Sequence, residues 1–143
     1  AQQAELMDLV TRHSLIYSRA LLGFDAYTEE EKLRFAPVRQ RLVRWHPGQA
    51  RHSVYLSSHI GEIEGMPRPE AMMLIRNLTE FATQRQFVYA HQWRQWDLVM
   101  WDNRTTMHRA RPFEDKAYKR DMRRVTLKDV APTLEQDLPR LAA

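Results

Sequence analysis

The residues of this chain whose types and spacing can do chemistry are Trp101-Asp102-Asn103-Arg104, then His108, then Arg120 and Arg124. A neutral imidazole is a good ligand for a first-row metal, and a guanidinium grips a carboxylate through two parallel hydrogen bonds. His108, with Arg120 twelve residues downstream, therefore reads as a metal ligand beside an anion clamp. Arg124 stands four residues beyond Arg120, and on a strand positions i and i+4 share a face. Two cations are thus expected in one cavity, with Arg123 pointing away. A non-haem Fe(II) oxygenase site needs two His and one carboxylate on one face of the metal. None of His13, His46, His52, His59, His91 or His108 is followed two residues later by Asp or Glu, so the chain reads as carrying half of such a site.

Charge agrees with an anionic ligand in the same region. Residues 101–128 hold nine Lys or Arg against four acids, in a chain whose net charge is only +4. The 143 residues, 43% of them hydrophobic, are about the size of one modest domain and can bury a real core. No Cys is present, which excludes disulfides and thiolate metal sites and is compatible with a reducing, cytoplasmic location. No apolar run approaches the roughly 20 residues of a membrane span, so no membrane partner is expected.

Positioning such side chains requires a scaffold, and the pattern predicts one that is mainly β with flanking helices. Leu6, Leu9 and Val10 at helical spacing predict a helix over residues 1–13. Residues 15–36 read as a long loop with a helical turn near 28–34, because Gly23 interrupts the segment. Segments 41–45 and 53–57 look extended around Pro47-Gly48-Gln49-Ala50, which predicts a hairpin. Pro67 and Pro69 open a helix to about residue 83, with Ala71, Leu74, Leu78, Phe81 and Ala82 on its apolar face. Strands are expected at 87–93, 97–101 and 123–127, followed by a loose tail from 133 to 143. Trp45, Trp93 and Trp96 are read as core residues.

At Trp101-Asp102-Asn103-Arg104, His108, Arg120 and Arg124 the chain resembles the taurine and 2,4-dichlorophenoxyacetate dioxygenase family, which are Fe(II)- and 2-oxoglutarate-dependent oxygenases. The likeness also runs through His59-Ile60-Gly61-Glu62-Ile63-Glu64-Gly65, the helix near 72–83, Gln86-Phe87-Val88-Tyr89 and Asp97-Leu98-Val99-Met100, roughly nine-tenths of the sequence. The resemblance implies a double-stranded β-helix, or jelly roll, of which residues 1–143 form the C-terminal part and an incomplete half. It implies that His108 is the distal metal His, that Arg120 pairs with the far carboxylate of 2-oxoglutarate, and that Arg124 faces the acidic group of the substrate. Asp102 falls in a structural turn with Asn103, capping backbone amides rather than ligating metal. Implied cofactors are Fe(II), 2-oxoglutarate as cosubstrate, and O2; the implied substrate is a small organic acid such as an aryloxyalkanoate or a sulfonate. An incomplete jelly roll exposes strand edges, which implies association, for example as a homo-oligomer, or instability.

Other readings compete at particular positions. His59 either lines the substrate cavity or is a hydrogen-bonded structural histidine. The basic segment would suit phosphates through Arg104, Arg109, Arg111, Arg123 and Arg124, but a nucleic-acid partner is not the reading adopted, because the His108 and Arg120 pattern explains more. A catalytically silent homologue or ligand-binding scaffold is the alternative to an enzyme. Whether the chain is a fragment, a truncated form or a degenerate homologue decides between them, and the fragment is the reading preferred.

Overall fold

The computed structural model describes residues 2–141. Its centre is a strand where the helical spacing of Leu6, Leu9 and Val10 predicted a continuing helix. Helix α1 (Gln2–Leu6) ends after five residues, and β1 (Val10–His13) follows. Tertiary pairing overrides the weak helical signal, because β-branched Val10 and Thr11 lie between two partner strands. On one side β1 pairs antiparallel with β2 (Val38–Arg41), and on the other with β5 (Ile60–Ile63), giving the order β2-β1-β5. A register shift between Arg12 and His13 sets His13 opposite Ile60. Thr11 is fully buried, and its hydroxyl donates to the Gln40 carbonyl at 3.1 Å, so burial leaves that hydroxyl partnered.

The hairpin forms as expected, shifted by a few residues. β3 (Val43–His46) pairs with β4 (Arg51–Val54), joined by a 3-10 turn (Pro47–Gln49) and by Ala50 in the left-handed region at φ 48°. The segment read as a long loop holds two helices. α2 (Leu15–Ala20) starts at Ser14, whose hydroxyl accepts from Tyr17 N. α3 (Glu29–Arg34) occupies the predicted turn, where Thr28 and Glu31 form a reciprocal capping box.

Helix α4 (Arg68–Ala82) ends one residue short of the expected limit. Its Leu74, Ile75, Leu78 and Ala82 pack on a core of Leu6, Met7, Leu42, Val43 and Leu56, whereas Phe81 lies exposed beside Phe87. No helix of the described residues is long and apolar enough to cross a membrane.

The strands expected at 87–93, 97–101 and 123–127 are not formed. A 3-10 turn occupies Arg85–Phe87, and the remaining residues of these stretches pair with no strand among those described. Their residues have strand-forming side chains, but a strand needs a neighbour to take its backbone N–H and C=O groups. Trp96, with φ 71°, is 92% exposed and Trp93 is also exposed, so neither is the core residue expected. The tail is not loose up to residue 141. Thr133 is buried in a 3-10 turn (Thr133–Glu135), Leu138 and Leu141 pack on the core, and Arg140 pairs with Asp8 at 2.8 Å. Ala142 and Ala143 lie outside the described residues.

Candidate active-site segment

Strand β3 buries two polar side chains on the face opposite its core residue Val43. Arg44 and His46 are two residues apart, so they project to the same side, and each is only 7% exposed. The His46 ring bonds Asp102 Oδ2 through Nε2 at 2.9 Å, while its Nδ1 accepts from Gln49 N at 3.1 Å. A neutral ring that accepts at Nδ1 carries its proton on Nε2, so His46 donates to Asp102. Arg44 stacks over Tyr55 at 4.6 Å and donates from Nη2 to Asp129 Oδ2 at 2.6 Å.

Asp102 organises the start of the chemically suggestive run, as the sequence reading of a capping turn expects. Its Oδ1 accepts from Arg104 N at 2.8 Å, and its Oδ2 accepts from Arg104 Nη2 at 2.7 Å. Thr105 N and Thr106 N both donate to the Asp102 carbonyl. The Arg104 side chain, then His46 and the Arg104 amide, hold the Asp102 carboxyl far below the ordinary carboxylate range. Ser53 on β4 donates to the Arg104 carbonyl at 2.7 Å. At the far end, burial pushes Asp129 up, but bonds from Gln136 and Val130 with the Arg44 and Arg104 charges outweigh it and lower its value.

Between these ends lie the residues picked out from sequence. His108 is exposed, and its ring centroid lies 4.7 Å from that of Trp101. Arg120 is exposed with its guanidinium 5.7 Å from the Phe113 ring centre, and Arg124 is exposed too. Among the described residues no hydrogen bond, ion pair or ring contact joins His108 to Arg120 or Arg124. The shared-face argument for the two arginines does not apply, because residues 119–128 form no strand. Met107 lines an apolar groove of about 300 Å³ with Tyr17, Ile60, Met72 and Ile75.

His59 immediately precedes β5 and bonds Ser18 Oγ through Nδ1 at 2.7 Å. Because Ser18 already donates to the Leu15 carbonyl, His59 Nδ1 is the donor, and its Nε2 is left as an acceptor. Nearby, His13 lies 4.8 Å from the Tyr55 ring. Burial first, then the proximity of His59 and Arg44, lowers its pKa from 6.5 to about 4. Sequence reasoning missed Arg44, His46 and His13: Arg44 fell in the strand read at 41–45, His46 just beyond it and His13 at the end of the helix read over 1–13, and nothing in those patterns signals that their polar side chains are buried or partnered.

His108 offers a ring whose nitrogens take part in no hydrogen bond among the described residues, which suits a metal ligand. No three His, Asp or Glu among the described residues gather closely enough to hold an ion, so the described residues do not form a complete ligand set.

Comparison with known proteins bears on this segment. Residues 2–126 match the family described as Taurine catabolism dioxygenase TauD, TfdA family. The chain is 43% identical over 129 residues to the alpha-ketoglutarate-dependent 2,4-dichlorophenoxyacetate dioxygenase of Cupriavidus pinatubonensis, a match covering 90% of this chain and 45% of that protein. It is 37% identical over 110 residues to the (S)-phenoxypropionate/alpha-ketoglutarate-dioxygenase of Delftia acidovorans, covering 73% of this chain and 38% of the relative. Among solved structures, AAD-2 in complex with Mn(II) and N-oxalylglycine superposes with a TM-score of 0.86 at 56% identity, over 92% of this chain and 52% of that one. The chain thus spans about half the length of the relatives it matches. With the match running from the first helix through the Trp101 to Arg124 run, this chain belongs to the Taurine catabolism dioxygenase TauD, TfdA family.

Proposed function

We propose that this chain is part of an Fe(II)- and 2-oxoglutarate-dependent dioxygenase that hydroxylates a small organic acid of the aryloxyalkanoate type. The observation that carries the reading is the 43% identity to a 2,4-dichlorophenoxyacetate dioxygenase over 90% of the chain. It is supported by the 0.86 TM-score to a structure that holds Mn(II) and N-oxalylglycine. In this reading residues 1–143 are part of one dioxygenase domain of jelly-roll type, lacking its His-x-Asp half. The exposed Trp96, Leu98, Met100 and Val125 are consistent with a surface that the rest of such a domain, or an associated copy, would cover.

His108 would supply one nitrogen to the metal, and the remaining ligands would come from outside these 143 residues. Arg120 would hold the far carboxylate of 2-oxoglutarate bidentately, and Arg124 the acidic group of the substrate. His59 would line the substrate space; with Nδ1 committed to Ser18, its Nε2 accepts a hydrogen bond unless the ring takes a second proton. Bound iron with 2-oxoglutarate and O2 supplies the oxidising power, the cosubstrate leaving as succinate and CO2 and the substrate gaining a hydroxyl. The test is succinate release by the full-length protein across a panel of small acids. Loss of release in His108→Ala and Arg120→Ala is expected, and release unaffected by His108→Ala would remove its proposed role.

A further inference from the structure

We propose that Arg44 and His46 are positioning residues: buried side by side on one face of β3, they fasten both ends of the segment that carries His108, Arg120 and Arg124. The proposal deepens the dioxygenase reading and names residues to which that reading assigns no task. At one end, the turn at Gly48 and Gln49 orients the His46 imidazole. Gln49 N occupies Nδ1, which leaves the Nε2 proton for Asp102. Space is tight there, since a Cβ at Gly48 would come within 3.3 Å of His46 Cε1. Asp102 in turn gathers the Arg104 side chain and the amides of Arg104, Thr105 and Thr106, with Ser53 Oγ on the Arg104 carbonyl.

At the other end, Arg44 holds Asp129, which is braced by Gln136 Nε2 at 3.1 Å. Between these clamps, residues 107–128 make no hydrogen bond to any other part of the chain among the described residues. Their hydrogen bonds are local, such as Tyr118 N to the Glu114 carbonyl. Apart from Met107 in the apolar groove, His108 and Arg124 are placed by the bonds at Asp102, six residues before His108, and at Asp129, five residues after Arg124. Both fixings belong to one rigid hairpin strand, so one element sets the relative placement of metal ligand and substrate cation.

The absence of Cys allows site-directed spin labels without background. Labels at Arg109→Cys and Asn77→Cys, both exposed positions, report the separation of the segment from α4 in the full-length protein, with any Cys outside these 143 residues replaced by Ser. One narrow distance population is expected. His46→Leu and, separately, Asp129→Asn should broaden it about twofold, while His46→Gln, which keeps a donor near the Nε2 position, should restore it. In the full-length protein the same two disruptive variants should weaken Mn(II) binding by roughly ten- to a hundredfold, read from the signal of free Mn(II), with His46→Gln close to the parent. An unchanged distance population in Asp129→Asn and in a folded His46→Leu overturns the proposal, as does a His46→Gln that behaves like His46→Leu. Should His46→Leu fail to fold, Asp129→Asn decides by the same criterion. If the unaltered protein releases no succinate yet the distances broaden as stated, the dioxygenase reading fails and the clamp stands.

Discussion

Acidification should destabilise this fold through His13. The ring is half-buried in β1, 4.8 Å from the Tyr55 ring, and its Nε2 donates to Thr11 Oγ1, whose own proton goes to the Gln40 carbonyl. Burial, His59 and Arg44 lower its pKa from 6.5 to about 4. Unfolded chain takes up the proton near pH 6.5, whereas folded chain resists until about pH 4. The unfolded state therefore binds more protons throughout that window, and stability is fully present above pH 6.5 and lost as pH falls toward 4. At 1.36 kcal/mol per pH unit the loss would reach roughly 3 kcal/mol. Partial solvent access to the ring reduces this to about 1–2 kcal/mol. Urea unfolding at pH 7.0 and pH 5.0, with His13→Gln as control, measures it. Parent stability should drop by about 1 kcal/mol or more between the two values, and the drop should be smaller in the variant. A parent whose midpoint is the same at both pH values, or a variant as pH-sensitive as the parent, refutes the reasoning.

Further expectations follow from single contacts. Thr133 Oγ1 donates to Gln40 Oε1 at 2.6 Å and accepts from Arg41 N at 2.9 Å, so Thr133→Val should cost about 1–3 kcal/mol by chemical denaturation through the unpartnered groups it leaves. A Cβ at Gly61 would meet the Tyr17 ring at 3.1 Å, so Gly61→Ala should destabilise by about 1 kcal/mol where a strand glycine in open space would gain from the change; calorimetry on the variant and on a Tyr17→Leu, Gly61→Ala pair should show relief in the pair. Thr28→Ala removes the α3 capping box and should cost about 1 kcal/mol, seen as a lower thermal midpoint, with Thr28→Ser close to the parent.

The elements that announce themselves locally were legible in the sequence. Pro67 and Pro69 ahead of an apolar stripe gave α4, Thr28 with Glu31 marked a helix start, and Pro47-Gly48 turned the hairpin. Capping, fixed proline φ and turn chemistry act within a few residues, so a one-dimensional reading can see them. The run from Trp101 to Arg124 pointed to the family by residue type and spacing, and Asp102 was correctly placed as a capping residue. What only the tertiary structure decided is pairing. Residues 10–13 form a strand because β2 and β5 flank them, while residues 87–93, 97–101 and 123–127, which also hold strand formers, stay unpaired for want of a neighbour. That β3 buries its polar side as well as its apolar one also lay beyond local signals, and with it the partnership of Arg44 with Asp129 and of His46 with Asp102, residues dozens of positions apart in the chain. Strand pairing and buried polar contacts are satisfied by groups distant in sequence, so their outcome is set by packing rather than by the propensity of any one segment.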